Sequence, residues 1–327
     1  MEFTVRNVNH ALPEALWKLA AMGVKEDSRN GPVLRFPEPV TTTYLKPQER
    51  VLFWGERDCN PIFHLLESVW MLAGRRDVTF PALFNSRIGQ YSDDGENFNA
   101  AYGYRWRHHF GQDQLLGVIK LLKTWPDTRQ AVIQMWDPAD LTKITLDKAC
   151  NTQIFFEIRE NLLNMTVICR SNDIWYGAYG ANSVHMTFLQ EFIAWAVGAR
   201  IGVYRQYSHN LHLYTELYDA GKHLASPPDP DGYDAYSAGL VTPNPIGWND
   251  DWQGWLRDAE AFCNAPFTYD KSMYSFFTDT ALPMAMVSKV RKDKTGDGYE
   301  WANRIEASDW RRATLEWIER RELAKQK

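Results

Sequence analysis

The sequence predicts an α+β fold, and three observations carry that prediction. Two strand-like runs, Gln153 to Ile158 and Asn164 to Cys169, flank the turn Glu160-Asn161 and read as a β-hairpin. A long helix follows, Ser183 to Val197, in which Val184, Phe188, Leu189, Phe192, Ile193 and Ala196 recur at helical spacing. With 327 residues, 45% of them hydrophobic and 14% aromatic, the chain can fill the sizeable core that one large domain or two modest ones require.

From the N-terminus, Pro13 to Met22 reads as a short helix with Leu12, Ala15, Leu16 and Leu19 on one face. Ser28-Arg29-Asn30-Gly31-Pro32 then turns the chain into an extended segment, Val33 to Tyr44. Pro61 to Ala73 is helical, since Phe63, Leu66, Val69, Trp70 and Leu72 form an apolar stripe and Pro61 suits a first turn. Asp77 to Phe98 is polar and turn-rich, Ala100 to Trp106 is a tight aromatic segment, and Leu115 to Lys123 is an amphipathic helix. Arg129 to Trp136 has strand character and stops at Asp137-Pro138. Beyond the hairpin and the long helix, Val203 to Tyr207 is a strand and His209 to Tyr218 reads as the start of another helix. Ala225 to Asn249 is a surface excursion rich in proline, glycine and aspartate. Trp252 to Phe262 and Trp310 to Leu323 look helical, joined by a charged stretch around Lys289 to Gly298.

A formal charge of −5 argues against a surface built to hold long nucleic acid, although a free nucleotide needs only a few local cations. No run approaches the ~18 apolar residues of a membrane helix and no leader pattern opens the chain, so a cytoplasmic protein is expected. Cys59, Cys150, Cys169 and Cys263 are too irregularly spaced for a CxxC metal site or a disulfide framework. Reduced thiols and no metal are the expectation.

The chemistry concentrates around Cys150. It stands in Ala149-Cys150-Asn151-Thr152, one hairpin away from Arg170-Ser171-Asn172-Asp173, which puts a thiol, a cation and a carboxylate together. Arg129 and Arg170 sit at strand ends and can present guanidinium groups to one phosphate, with the Ser171 hydroxyl beside them. Each has a plainer reading: a buried small hydrophobe for Cys150, surface ion pairs for the arginines, a helix cap for Asp173. His212-Leu213-Tyr214 places two hydrogen-bonding side chains on one face if the segment is extended. Glu67 lies inside an apolar helical stripe, where an unpaired carboxylate costs several kcal/mol.

Taken in order from about Ser28 to Tyr218, these segments resemble the thymidylate synthase and pyrimidine hydroxymethylase family. The resemblance implies a large mixed sheet with packed helices, dimerising through the sheet. It also implies a catalytic core over residues 1–218, with 219–327 continuing it into a helical C-terminal extension. In that family a cysteine adds to C6 of a pyrimidine nucleotide, and C5 then attacks the one-carbon unit of methylenetetrahydrofolate. Cys150 would be the nucleophile, and Arg29, Arg129, Arg170 and Ser171 would hold the 5′-phosphate, Arg129 arriving from the partner subunit of a homodimer. Glu67 falls at the catalytic glutamate, whose pKa an apolar setting can tune for proton transfer. Tyr102, in Ala101-Tyr102-Gly103, matches a tyrosine near the base, Asp173 the aspartate on the pterin, and His212 with Tyr214 the pair on the 3′-hydroxyl.

Synthases finish the reaction with hydride and hydroxymethylases with water. Three departures favour water here: Asn151 stands where synthases carry histidine, the Gly177 to Asn182 loop lacks the proline-phenylalanine-asparagine order, and Glu322 to Lys327 is polar where synthases close with an apolar tail. The Arg170-Ser171-Asn172-Asp173 string is similar to that of phage deoxycytidylate hydroxymethylases. Asn182, one position off the family's base-reading asparagine, nevertheless favours uracil over cytosine, because an amide matches both O4 and N3–H. Deoxyribose is favoured over ribose. If the chain is phage-encoded, the host cytoplasm is its expected location. The competing readings are a thymidylate synthase, a catalytically silent nucleotide-binding relative, and a cysteine hydrolase pairing Cys150 with His185 or His212. For the last, no oxyanion loop or base-orienting residue is evident.

Overall fold

The computed structural model describes residues 1–229, 232–247 and 251–325 of the chain. Its centre is a hairpin written by residue alternation: in the strand Leu162–Cys169, Leu163, Met165, Val167 and Cys169 are buried and their neighbours half-buried. The partner strand Asn151–Arg159 joins it through Glu160 and Asn161, both at positive φ (51° and 60°), as the tight hairpin turn requires.

In chain order the strands are β1 (Glu2–Val5), β2 (Val24–Ser28), β3 (Gly31–Arg35), β4 (Val40–Tyr44), β5 (Val132–Gln134), β6 (Asn151–Arg159), β7 (Leu162–Cys169), β8 (Asn172–Asp173), β9 (Arg200–Ser208) and β10 (Leu211–Tyr214). Six of them make a mixed sheet in the order β1-β4-β9-β7-β6-β5, with β1/β4 and β7/β9 parallel and the other pairs antiparallel. A smaller sheet runs β2-β3-β10-β8. The helices are α1 (Val8–Met22), α2 (Pro61–Leu72), α3 (Thr79–Ala82), α4 (Tyr102–Tyr104), α5 (Gln114–Thr124), α6 (Asn182–Val197), α7 (Thr215–Gly221), α8 (Trp252–Asn264), α9 (Leu282–Asp293), α10 (Gly298–Asn303) and α11 (Ser308–Lys325).

Helix α6 is buried nearly all round, lying between β7 and β9 on one side and α2, α5 and α8 on the other. The Asn60 side chain caps α2 by accepting the Phe63 N–H at 3.1 Å. Helix α2 in turn meets α4 so closely that a Cβ on Gly103 would stand 1.9 Å from the Met71 carbonyl oxygen, so only glycine fits. Trp255, Phe262, Phe277 and Met284 join the same apolar core as Leu66, Val69, Phe188 and Phe192, so the residues after 218 share the interior of those before it.

Several elements differ from the sequence expectation. Helix α1 begins at Val8 instead of Pro13, and Pro13 sits inside it. Proline has no N–H for the Asn9 carbonyl, and that carbonyl accepts from Trp54 Nε1 at 2.9 Å instead. Ser28 to Pro32 is no helix-to-strand turn: Arg29 and Asn30 join β2 to β3, and Val33 to Tyr44 is divided between β3 and β4. His209 to Tyr218 begins as strand β10, paired to β3 and β8, before α7. The charged stretch from Lys289 is the end of α9, whose buried face is Met284, Ala285, Val287 and Val290. Within the Ala225 to Asn249 excursion, 230, 231, 248 and 249 lie outside the described residues, as do 326 and 327 of the polar terminus. No helix among the described residues is long and apolar enough to cross a membrane.

Candidate active site

The turn between β2 and β3, the segment entering β6, the end of β7 and the strand β10 converge on one open cavity of about 600 Å³. Arg29, Cys150, Arg170, Ser171, His212 and Tyr214 all line it. Asp147 and Lys148, which sequence reasoning passed over, line it as well. Arg129 does not: it is exposed in the bend ahead of β5, the edge strand of the large sheet.

Cys150 is held by its neighbours' backbone. The Arg170 N–H donates to the Cys150 carbonyl at 2.9 Å, and Arg170 Nε donates to the Ala149 carbonyl at 2.9 Å. Arg170 Nη2 lies 3.4 Å from the Lys148 carbonyl and 3.8 Å from Cys150 Sγ, and the guanidinium sits 5.5 Å from the Trp136 ring. Its partners are carbonyls and a thiol instead of the carboxylates of an ion-pair reading. Burial pushes the Cys150 thiol above its ordinary range and Asp147 adds to the rise, while Arg170 and Arg29 oppose it. All four cysteines are free thiols, and Cys59, Cys169 and Cys263 are buried.

Asn151 opens a chain of buried amides. Its Nδ2 donates to Asn182 Oδ1 at 3.4 Å, Asn182 Nδ2 donates to Asn172 Oδ1 at 3.1 Å, and Asn172 Nδ2 donates to Ser208 Oγ at 3.2 Å. A Cβ on Gly177 would fall 2.6 Å from Asn172 Oδ1, so that glycine keeps room for the relay. The Tyr102 hydroxyl hydrogen-bonds the Asn151 backbone, and burial, reinforced by Cys150 and Cys169, holds its pKa well above the usual phenol value.

Asp173 and His212 are register partners across β8 and β10. Asp173 Oδ1 accepts the Tyr176 N–H at 2.5 Å, capping the irregular helical turn over residues 174–181, while Oδ2 is buried without a partner. Burial raises the Asp173 pKa and lowers that of His212, each partly offset by the other's charge. His212 Nδ1 lies 2.9 Å from Asn210 Oδ1, and its ring meets Tyr214 edge-on at 5.8 Å. The strand geometry of β10 puts both side chains on one face.

Glu67 faces α6. Its Oε2 lies 3.1 Å from His185 Nε2, and the His185 ring meets His64 edge-on at 6.2 Å. The carboxylate in the apolar stripe therefore has a charge-capable neighbour, which sequence periodicity gave no means of finding. Asn172 was likewise missed, although it stands inside the Arg170 to Asp173 string; its signal is the buried face of a strand beside Asn182.

Residues 48–229 match the family model described as thymidylate synthase. A protein of Pseudomonas phage M6 named deoxyuridylate hydroxymethyltransferase is 46% identical, the alignment covering 98% of this chain and 94% of the relative. One of the same name from Bacillus phage SP01 is 38% identical over 56% of this chain and 51% of the relative. A putative thymidylate synthase of Methanothermobacter marburgensis is 35% identical over 41% and 59% respectively.

Proposed function

From the premise that this chain belongs to the thymidylate synthase family, we propose that it hydroxymethylates C5 of deoxyuridine monophosphate, with a folate-borne one-carbon unit and Cys150 as nucleophile. The observation that carries the reading is Cys150 Sγ beside the Arg170 guanidinium, in a cavity that also collects Arg29, Ser171, His212 and Tyr214. Likeness over 98% of this chain to a phage protein named for hydroxymethyl transfer to deoxyuridylate supports water over hydride as the final reactant.

Arg29, Ser171 and Arg170 take the 5′-phosphate; among the described residues no protein hydrogen bond engages Arg170 Nη1, which leaves it for a phosphate oxygen. Arg129 completes that set from the partner subunit of a homodimer, a role supported by its exposure ahead of the edge strand β5 and by its absence from the lining of its own chain's cavity. His212 and Tyr214 take the 3′-hydroxyl. Asn182 reads uracil: the relay uses one of its N–H groups and one lone pair, leaving one of each for O4 and N3–H, and it fixes which end of the amide is which.

The folate supplies a carbon at the formaldehyde level and leaves as tetrahydrofolate. A buried carboxylate oxygen without a partner, Asp173 Oδ2, fits the paired N–H donors of a pterin. Cys150 forms a bond to C6, and Arg170 stabilises the thiolate against the cost of burial. Tyr102 and Asn151 border the reacting carbon, and Glu67 handles protons at the base. Residues 1–218 form the catalytic core and 219–327 extend it. The host cytoplasm suits such a protein.

Incubation with methylenetetrahydrofolate and dUMP, dCMP or CMP, followed by mass analysis, tests the reading. A dUMP product heavier by CH2O is expected; a gain of CH2 indicates synthase chemistry, and no product from any nucleotide overturns the enzymatic assignment. Cys150→Ser should still bind nucleotide while losing turnover.

A further inference from the structure

We propose that His185 is a positioning residue for Glu67, and that the two together hold and deprotonate the water that completes hydroxymethyl transfer. This rests on the hydroxymethylase reading above. His185 is 3% exposed on α6, one helical turn beyond Asn182 and therefore on the neighbouring position of the same face. Its Nε2 lies 3.1 Å from Glu67 Oε2 yet makes no aligned hydrogen bond to protein. A buried ring nitrogen without an aligned partner is costly, and a water oxygen placed beside the pair, within reach of both Nε2 and Oε2, supplies the missing hydrogen bond.

His64, a turn before Glu67 on α2, is pushed well below the usual imidazole range by burial, then by His185 and Arg57. It remains a neutral ring against which His185 packs edge-on. Asn151, whose Nδ2 donates to Asn182 Oδ1, keeps its own Oδ1 buried without a partner. From Cys150 the polar seam therefore runs through Asn151 to Asn182, one helical turn before His185 on α6, and Glu67 meets His185 from α2.

After the folate has left, the nucleotide carries an exocyclic methylene on C5 and Cys150 on C6. The water oxygen forms the bond to the methylene carbon, and its proton passes to Glu67, whose carboxylate His185 holds in line. The methylene π pair moves into the ring as an enolate at C4–O. Collapse of that enolate restores the C4 carbonyl, forms the C5–C6 double bond and expels the Cys150 thiolate.

The test compares His185→Phe and His185→Gln with the parent chain, measuring release of tritium from C5-labelled dUMP alongside hydroxymethyl product. For His185→Phe the expected result is tritium release within about threefold of the parent and a ~100-fold loss of product. Added 2-mercaptoethanol should capture the stranded methylene as a thioether nucleotide. His185→Gln, which restores a hydrogen-bonding group near the Nε2 position, should recover most of the product. If the folded His185→Gln and His185→Phe proteins lose tritium release and product in parallel, or lose neither, the positioning role is overturned. Failure of the parent chain itself to release tritium instead overturns the hydroxymethylase reading.

Discussion

Replacing Asn172 with alanine should weaken both the fold and the choice of base, and the size of each effect follows from the amide relay. Asn172 is 3% exposed, accepts from Asn182 Nδ2 at 3.1 Å and donates to Ser208 Oγ at 3.2 Å. Its removal loses two buried hydrogen bonds: it orphans the Asn182 N–H and takes the donor from Ser208 Oγ. At about 1–3 kcal/mol for an orphaned buried donor and about 1 kcal/mol for a lost hydrogen bond, the cost is roughly 2–4 kcal/mol. With an unfolding entropy near 0.7 kcal/mol/K for 327 residues, the melting temperature should fall by about 3–6 °C. Once unpinned, the Asn182 amide can present either end to the base. The kcat/KM for dUMP should then fall by at least about tenfold, close to 1.4 kcal/mol, and the preference for dUMP over dCMP should narrow. Differential scanning calorimetry and steady-state assays with both nucleotides measure these effects. A melting temperature within 1 °C of the parent, together with an unchanged dUMP-to-dCMP ratio, would refute the relay as the device that orients Asn182.

Iodoacetamide at neutral pH should label the native protein at Cys150 alone, since Cys59, Cys169 and Cys263 are buried, and dUMP should slow the labelling; peptide mapping that finds a second native site contradicts the burial assignment. Asp309 provides a pH test. Burial raises its pKa to about 6 against the opposing Tyr236 and Trp310 hydrogen bonds. Because the folded value lies above the unfolded one, its contribution is full below about pH 4 and is lost as pH rises through 6, a swing of about 3 kcal/mol. Asp309→Asn should therefore melt about 4 °C higher than the parent at pH 8 and gain nothing at pH 4; an equal difference at both pH values would exclude the linkage.

Local pattern carried much of the fold into view. Alternation in β7, the paired positive-φ turn residues Glu160 and Asn161, and the 3.6-residue stripe of α6 are properties of short stretches, so they read directly from the chain. Elements whose reason is remote did not. Pro13 lies within α1 because Trp54 satisfies the carbonyl that proline leaves unpaired, and Leu211 to Tyr214 becomes a strand because β3 and β8 flank it.

The site divides along the same line. Residue chemistry in Ala149 to Asn151 and Arg170 to Asp173 was enough, with the family resemblance, to nominate the thiol, the phosphate cations and the pterin carboxylate. Three-dimensional packing alone brought Arg29, His212 and Tyr214 to the rim that Cys150 occupies, and left Arg129 outside it. It also gave Glu67 its neighbour, because the contact between α2 and α6 spans more than a hundred residues of chain. The sequence by itself determined which side chains can do chemistry, since that is set by covalent structure. Tertiary structure decided which of them meet, since burial, hydrogen-bond direction and the thiol's charge balance depend on neighbours that no local pattern specifies.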